Sequence, residues 1–140
     1  MIVLDTNVIS EPMQRAPDRA VVAWLNGQID SALFTTSITV MELRFGLERL
    51  PEGKRKTNLW AVLDFTLSRL IGSRILPFDT TAAIEAARIA ALAEAGGTPI
   101  GQADGQIAAI AKAHGFAVAT RDTAPFQHAG LSVINPWAAT

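Results

Sequence analysis

Ile2-Val3-Leu4-Asp5-Thr6-Asn7 is an apolar triplet that runs straight into three residues of turn chemistry, the pattern of a short strand that stops abruptly. Working outward, Leu33-Phe34-Thr35-Thr36 repeats the design, and the helix after it sets Val40, Leu43, Leu47 and Leu50 on one face at spacings of three and four. Between the two strands, Asp18 can cap a helix carrying Val21, Val22, Trp24 and Leu25, since its carboxylate can accept from free first-turn N–H groups. Pro51-Glu52-Gly53 breaks the chain before a helix from about Lys54 to Leu70, with Leu59, Leu63, Leu67 and Leu70 as its stripe. Lys54-Arg55-Lys56 reads as its solvated start. Gly72-Ser73 ends it, and the proline in Ile75-Leu76-Pro77-Phe78 points to an edge strand or an irregular end.

The second half keeps the alternation. An Ala-rich helix runs from Thr81 to Ala95 with Asp79 or Thr80 as cap, and another from Ile100 to His114 with Gly115 closing it. Phe116–Thr120 and Ser132–Ile134 read as strands. Strands alternating with helices predict an α/β domain with a mainly parallel sheet, and nothing resembling a linker divides 1–140 into more than one domain.

Composition narrows the possibilities. With 140 residues, 49% hydrophobic and 18% charged, the chain can bury an ordered core. Cysteine is absent, which removes disulfides and thiolate metal sites and suits a cytoplasmic protein. No apolar run approaches the roughly 18 residues of a membrane span, and the N-terminus lacks a basic leader. A formal net charge of −1 argues against a broad basic surface for duplex nucleic acid, so any nucleic-acid contact is local or metal-assisted.

Ligands of open parallel sheets bind beyond the carboxyl ends of the strands. Asp5, Glu42, Asp79, Asp104 and Asp122 all fall just after a predicted strand or in an early turn of the following helix. Each has an ordinary structural role. Asp5 can make an Asx-turn, Asp79 can cap a helix, Asp122 can serve a turn, and Thr39-Val40-Met41-Glu42 has the form of a capping box. Asp104 resists, because it shares a face with Ile100, Ile107, Ala108 and Ala111, and an unpaired carboxylate on an apolar stripe is costly. Together the acids would repel one another. No Lys or Arg lies within a few residues of Asp5 or Asp104, and Arg44 and Arg121 are the nearest from other segments. A hard divalent cation such as Mg²⁺ would neutralise such a pocket and let it accept a polyanion. His114 and His128 read as surface residues.

The chain resembles PIN-domain proteins, in particular VapC-type toxins of the FitB-like subgroup. The resemblance is carried by Met1–Ser10, Thr39-Val40-Met41-Glu42-Leu43, Asp104–Ala109, Ala119-Thr120-Arg121-Asp122 and Asn135-Pro136-Trp137, and it spans essentially the whole length. It implies a three-layer α/β/α sandwich with a short parallel sheet and a Mg²⁺- or Mn²⁺-dependent endoribonuclease. Its acidic pocket would comprise Asp5, Glu42, Asp104 and Asp122. Asp5 and Asp104 would be the direct metal ligands, Glu42 would position a metal-bound water, and Thr6, Asn7 and Thr120 would support the site. Asp79 matches no family site residue and is left as a cap. Many relatives carry Asn at the position of Asp122 and an acid where this chain has Pro125. The resemblance also implies homodimers and a DNA-binding antitoxin that covers the pocket. Apolar residues of the Val40–Leu50 and Leu59–Leu70 helices would form its groove, unless they are ordinary core.

Two other readings follow from the same residues. One is a catalytically weak or inactive PIN-fold module acting in a regulatory complex, suggested by Pro125 and the near-neutral charge. The other is phosphoryl transfer through an aspartyl nucleophile, which Asp5-Thr6-Asn7 disfavours because it lacks a second acid two residues on.

Overall fold

The computed structural model describes residues 1–138, so the last two positions of the expected 1–140 domain lie outside the described residues. Five strands, β1 (Ile2–Leu4), β2 (Leu33–Thr36), β3 (Ile75–Leu76), β4 (Ala117–Ala119) and β5 (Val133–Ile134), form one sheet in the order β3-β2-β1-β4-β5. Every neighbouring pair is parallel. The helices between them are α1 (Thr6–Ser10), α2 (Arg19–Asn26), α3 (Ser37–Glu48), α4 (Lys54–Leu70), α5 (Thr80–Ala95), α6 (Gln102–His114) and α7 (Thr123–His128).

Strand alternation sorts the apolar residues into two cores. Val3 and Val118 turn to one face, where they meet Ile38 of α3, Ala82 and Ile89 of α5, Ile107–Ala111 of α6 and Phe126 of α7. Leu4, Leu33 and Ala119 turn to the other, against Val8 and Ile9 of α1, Val21 and Leu25 of α2, and Ile71 just after α4. The result is the expected α/β/α sandwich. Because both faces are covered, the central strands read as continuous apolar runs.

Several expectations need correction. Asp5 leads into a helix, α1, rather than an isolated turn. The capping box on Thr39 does not form. Helix α3 starts at Ser37, and the hydroxyl of Thr36 accepts the N–H of Thr39 at 3.1 Å, which leaves Glu42 in the second turn and free of capping. Helix α6 begins at Gln102, two residues later than read from the sequence. Helix α7 contains Pro125, which fits because first-turn N–H groups have no intrahelical partner to lose. Finally, Lys56 is not solvated: it is 9% exposed, and its ammonium donates to Glu48 O at 3.1 Å and Glu52 Oε1 at 2.7 Å. It ties the start of α4 to the C-terminal end of α3, where the helix dipole favours a cation. Asp18 and Asp79 cap α2 and α5 as expected, accepting from Ala20 N at 2.8 Å and Ala82 N at 2.9 Å.

Gly115 closes α6 in the left-handed region, at φ 71°. A Cβ there would meet nothing within 4 Å, so the preference for glycine is conformational rather than steric. Gly115→Ala is expected to lower stability by about 1–2 kcal/mol, measured as an earlier urea midpoint at unchanged m-value.

Candidate active site

The strand order places the site. From β1 the chain builds outward through β2 to β3, then crosses back to lay β4 on the other flank of β1. At such a reversal the connections leave the two central strands in opposite directions, and a crevice opens beyond their carboxyl ends. Asp5 is the first residue after β1, and Thr120 the first after β4. The ladder continues between them through Asp5 N to Ala119 O at 3.0 Å.

Asp5 is 5% exposed, and both its oxygens are held. Thr120 Oγ1 donates to Oδ2 at 2.8 Å, and the Thr6 backbone N–H donates to Oδ1 at 2.7 Å. The fully buried Thr120 hydroxyl also accepts the Asp122 N–H at 3.2 Å, which places Asp122 beside the same network. Glu42 reaches in from α3, where its Oε1 accepts the Thr6 hydroxyl at 2.7 Å. Asn7 Oδ1 accepts the Arg121 N–H at 3.3 Å, fastening the chain after β4 to α1. Asp122 precedes α7, yet its side chain makes no capping bond, so the turn-or-cap role does not account for it.

Asp104 is the third residue of α6 and half-buried, and its carboxylate accepts no hydrogen bond among the described residues. Burial raises its pKa first, and the charges of Asp5, Asp122 and Glu42 raise it further, to about 6. Asp5 is also raised, mainly by burial. Its bonds from Thr120 and Thr6 oppose the rise, and the charges of Glu42 and Asp122 add to it. Asp104 therefore lies within electrostatic reach of the other three acids, and Asp5 within reach of Glu42 and Asp122. Asp79 does not join them.

Among the described residues no basic side chain pairs with these acids. The ion pairs among the described residues are Lys56–Glu52 and Arg88–Glu85, neither of which involves these acids. Arg44 lies over the Trp60 ring, 4.4 Å from its centroid, and Arg121 over Trp137 at 5.1 Å. Both histidines are exposed, as expected. Among the described residues no three His, Cys, Asp or Glu side chains are arranged to hold a metal ion by themselves. That fits an ion bound through one or two carboxylates, with waters and phosphate oxygens completing its shell. The donor set is wholly oxygen, which suits a hard cation. The structure brings the four acids expected from the sequence to one end of the sheet. Sequence reading missed the Thr6 hydroxyl as the donor to Glu42, because that contact is 36 residues long-range, and it missed the pairing of Arg121 with Trp137.

Fold and site together define an α/β/α protein with a carboxylate pocket at the switch point of a parallel sheet. The profile of the PIN domain matches residues 2–131, and the chain belongs to that family. It is 53% identical over 137 residues to the VapC ribonuclease Y4jK of Sinorhizobium fredii, covering 98% of each chain. It is 47% identical over 137 residues to the toxin FitB of Neisseria gonorrhoeae, covering 98% of this chain and 99% of that one. Among solved structures, FitAB bound to an IR36 DNA fragment superposes with a TM-score of 0.93 at 45% identity, covering 100% of this chain and 98% of the other.

The raised pKa of Asp104 carries a stability signature. Folding holds a proton on this group more tightly than the unfolded chain does, so without divalent ions stability falls as pH rises from 3.8 through about 6. Asp104→Asn removes that penalty and is expected to raise the metal-free Tm at neutral pH by roughly 2–6 °C, with a flatter pH dependence. Mn²⁺ should raise the Tm of the wild type, because binding to the native state alone stabilises it, and leave the variant nearly unmoved. Calorimetric scans with and without the ion check both.

Proposed function

We propose that the protein is a metal-dependent endoribonuclease, the toxin half of a toxin–antitoxin pair, acting in the cytoplasm as one PIN-like unit over 1–140. The observation that carries the reading is the group of four mutually repelling carboxylates at the sheet's switch point with no basic side chain paired to them. The VapC ribonuclease and FitB relatives agree with it.

Asp5 and Asp104 are the groups that would hold Mg²⁺ or Mn²⁺. The bound ion would supply charge neutralisation for an incoming phosphodiester and a more acidic water. Thr120 and Thr6 fix the Asp5 carboxylate by donating to one oxygen each, so its remaining lone pairs point in a set direction. Glu42 accepts the Thr6 hydroxyl through Oε1 only, which leaves Oε2 able to orient a water and take its proton. Asp122 completes the negative rim, and Pro125 leaves no acid one turn further on.

The antitoxin would cover apolar surface that the fold leaves open. Leu47 and Leu63 are core, as ordinary packing requires, but Met41 and Phe45 of α3 and Val62 and Phe65 of α4 are exposed. The last two border a groove of about 270 Å³ lined also by Pro12, Val22 and Leu25. Ile84 and Leu92 on α5 are exposed as well, a surface suited to a second copy in a homodimer. The structures that resemble this chain include a FitA–FitB complex on DNA, which favours a DNA-binding antitoxin as partner.

Purified protein should cut single-stranded RNA with Mg²⁺ or Mn²⁺ and lose that activity with EDTA. Asp5→Asn should lower kcat/KM more than 100-fold. Thr120→Val should lower it roughly 10- to 100-fold, the range for groups that orient a metal ligand. Cleavage that persists through both EDTA and Asp5→Asn rejects the reading. If titration calorimetry detects no Asp104-dependent Mn²⁺ binding, the inactive-module reading takes its place.

A further inference from the structure

We infer that Arg121 and Trp137 form a platform at the β5 side of the acidic pocket that grips single-stranded RNA, with the guanidinium on a backbone phosphate and the indole supporting a base. This rests on the ribonuclease reading above.

Both residues sit just beyond the carboxyl ends of adjacent strands. Arg121 follows β4 by two positions and Trp137 follows β5 by three. The strands pair through Val118 with Val133 and Ala119 with Ile134, and Thr120 N continues the ladder to Ile134 O at 2.9 Å. The platform therefore stands on the same edge of the sheet as Asp5 and Asp122. Each backbone is pinned: Arg121 N to Asn7 Oδ1 at 3.3 Å, and Trp137 N to Asn135 Oδ1 at 3.0 Å. Trp137 also packs partly against the Leu4–Val8–Ile71 core, so the ring is anchored.

The behaviour of Arg121 is the telling observation. It is exposed and next in sequence to Asp122, yet its guanidinium makes no ion pair among the described residues. It lies instead over the Trp137 ring, 5.1 Å from the centroid. A flexible arginine next in sequence to an aspartate gains by pairing with that carboxylate. Held on an indole, it keeps its donor fork available for another anion. A polyanionic strand approaching a negative pocket on a chain of net charge −1 needs such a fixed cation at the rim. Arginine on an aromatic ring offers what single-stranded RNA presents, a phosphate and a stacking face. The other two stacks, Arg49 on Phe45 at the C-terminal end of α3 and Arg44 on Trp60, do not qualify. Arg44 is two residues from Glu42 on the same helix, and residues at that spacing do not share a face.

The test is steady-state cleavage of a labelled single-stranded RNA with Mn²⁺ over a range of salt. Arg121→Gln should raise KM about tenfold with kcat held, and should flatten the dependence of log(kcat/KM) on log salt by about 0.7, the loss of one phosphate contact to a single strand. Trp137→Leu, which leaves Arg121 without its hold, should raise KM and flatten that slope as well, and Trp137→Phe should restore most of both. The Mn²⁺-induced rise in Tm should match the wild type in all three. Wild-type KM and slope in Arg121→Gln would overturn the platform while leaving the nuclease reading intact. So would loss of the Mn²⁺ response, which would mark a structural role, or unchanged KM with a weakened hold on a co-purified partner chain, which would assign the pair to protein recognition. A wild-type protein that cuts no RNA at all overturns the nuclease reading itself, and the platform with it.

Discussion

The bond from Thr120 Oγ1 to Asp5 Oδ2 joins residues 115 positions apart at 2.8 Å, and the pocket is arranged around it. An ionised carboxylate as buried as Asp5 is tolerated only where donors replace lost water. The fold provides two, a hydroxyl from the neighbouring strand end and the first N–H of α1. The same hydroxyl accepts from Asp122, and the same turn sends Thr6 Oγ1 to Glu42. A single crossing between β1 and β4 thus positions three acids taken from three distant parts of the chain.

The fourth acid shows the energetic tension in the design. Asp104 has burial and like charge around it but no donor, so the pocket is unfavourable while it is fully ionised and without a cation. Stability given up at a site in this way is commonly the counterpart of affinity for what binds there. Elsewhere the buried Oε2 of Glu85 is the side-chain atom left without a partner among the described residues. Caps close α2, α3 and α5, and Lys56 is buried with its charge paired.

Much of this was legible in the sequence, because the fold is written in short-range patterns. Ile2–Leu4 and Ala117–Ala119 are apolar on both faces since the sheet is covered on both sides, and Asp18, Asp79 and Gly115 mark helix ends by local chemistry. Asp104 stood out because an acid on an apolar helical stripe needs a reason. What could not be read locally was decided by tertiary contact. Thr36 took the capping role that Thr39 fits by pattern, since the strand ends at Thr36. Lys56 found a carbonyl eight residues back at the end of another helix, so a run that looks solvated contains a buried ammonium. Glu42 fits a capping pattern by sequence, and the start of α3 at Ser37 together with its contact to Thr6 shows otherwise.

The placement of β1 has a temporal side. It is made before the other four strands, yet lies in the middle of the finished sheet, and its partner β4 arrives more than a hundred residues later. Until that strand is translated, Asp5 has neither the hydroxyl that orients it nor Asp104 and Asp122 as neighbours. A growing polypeptide thus carries no assembled acidic cluster until β4 and the turn after it have been made.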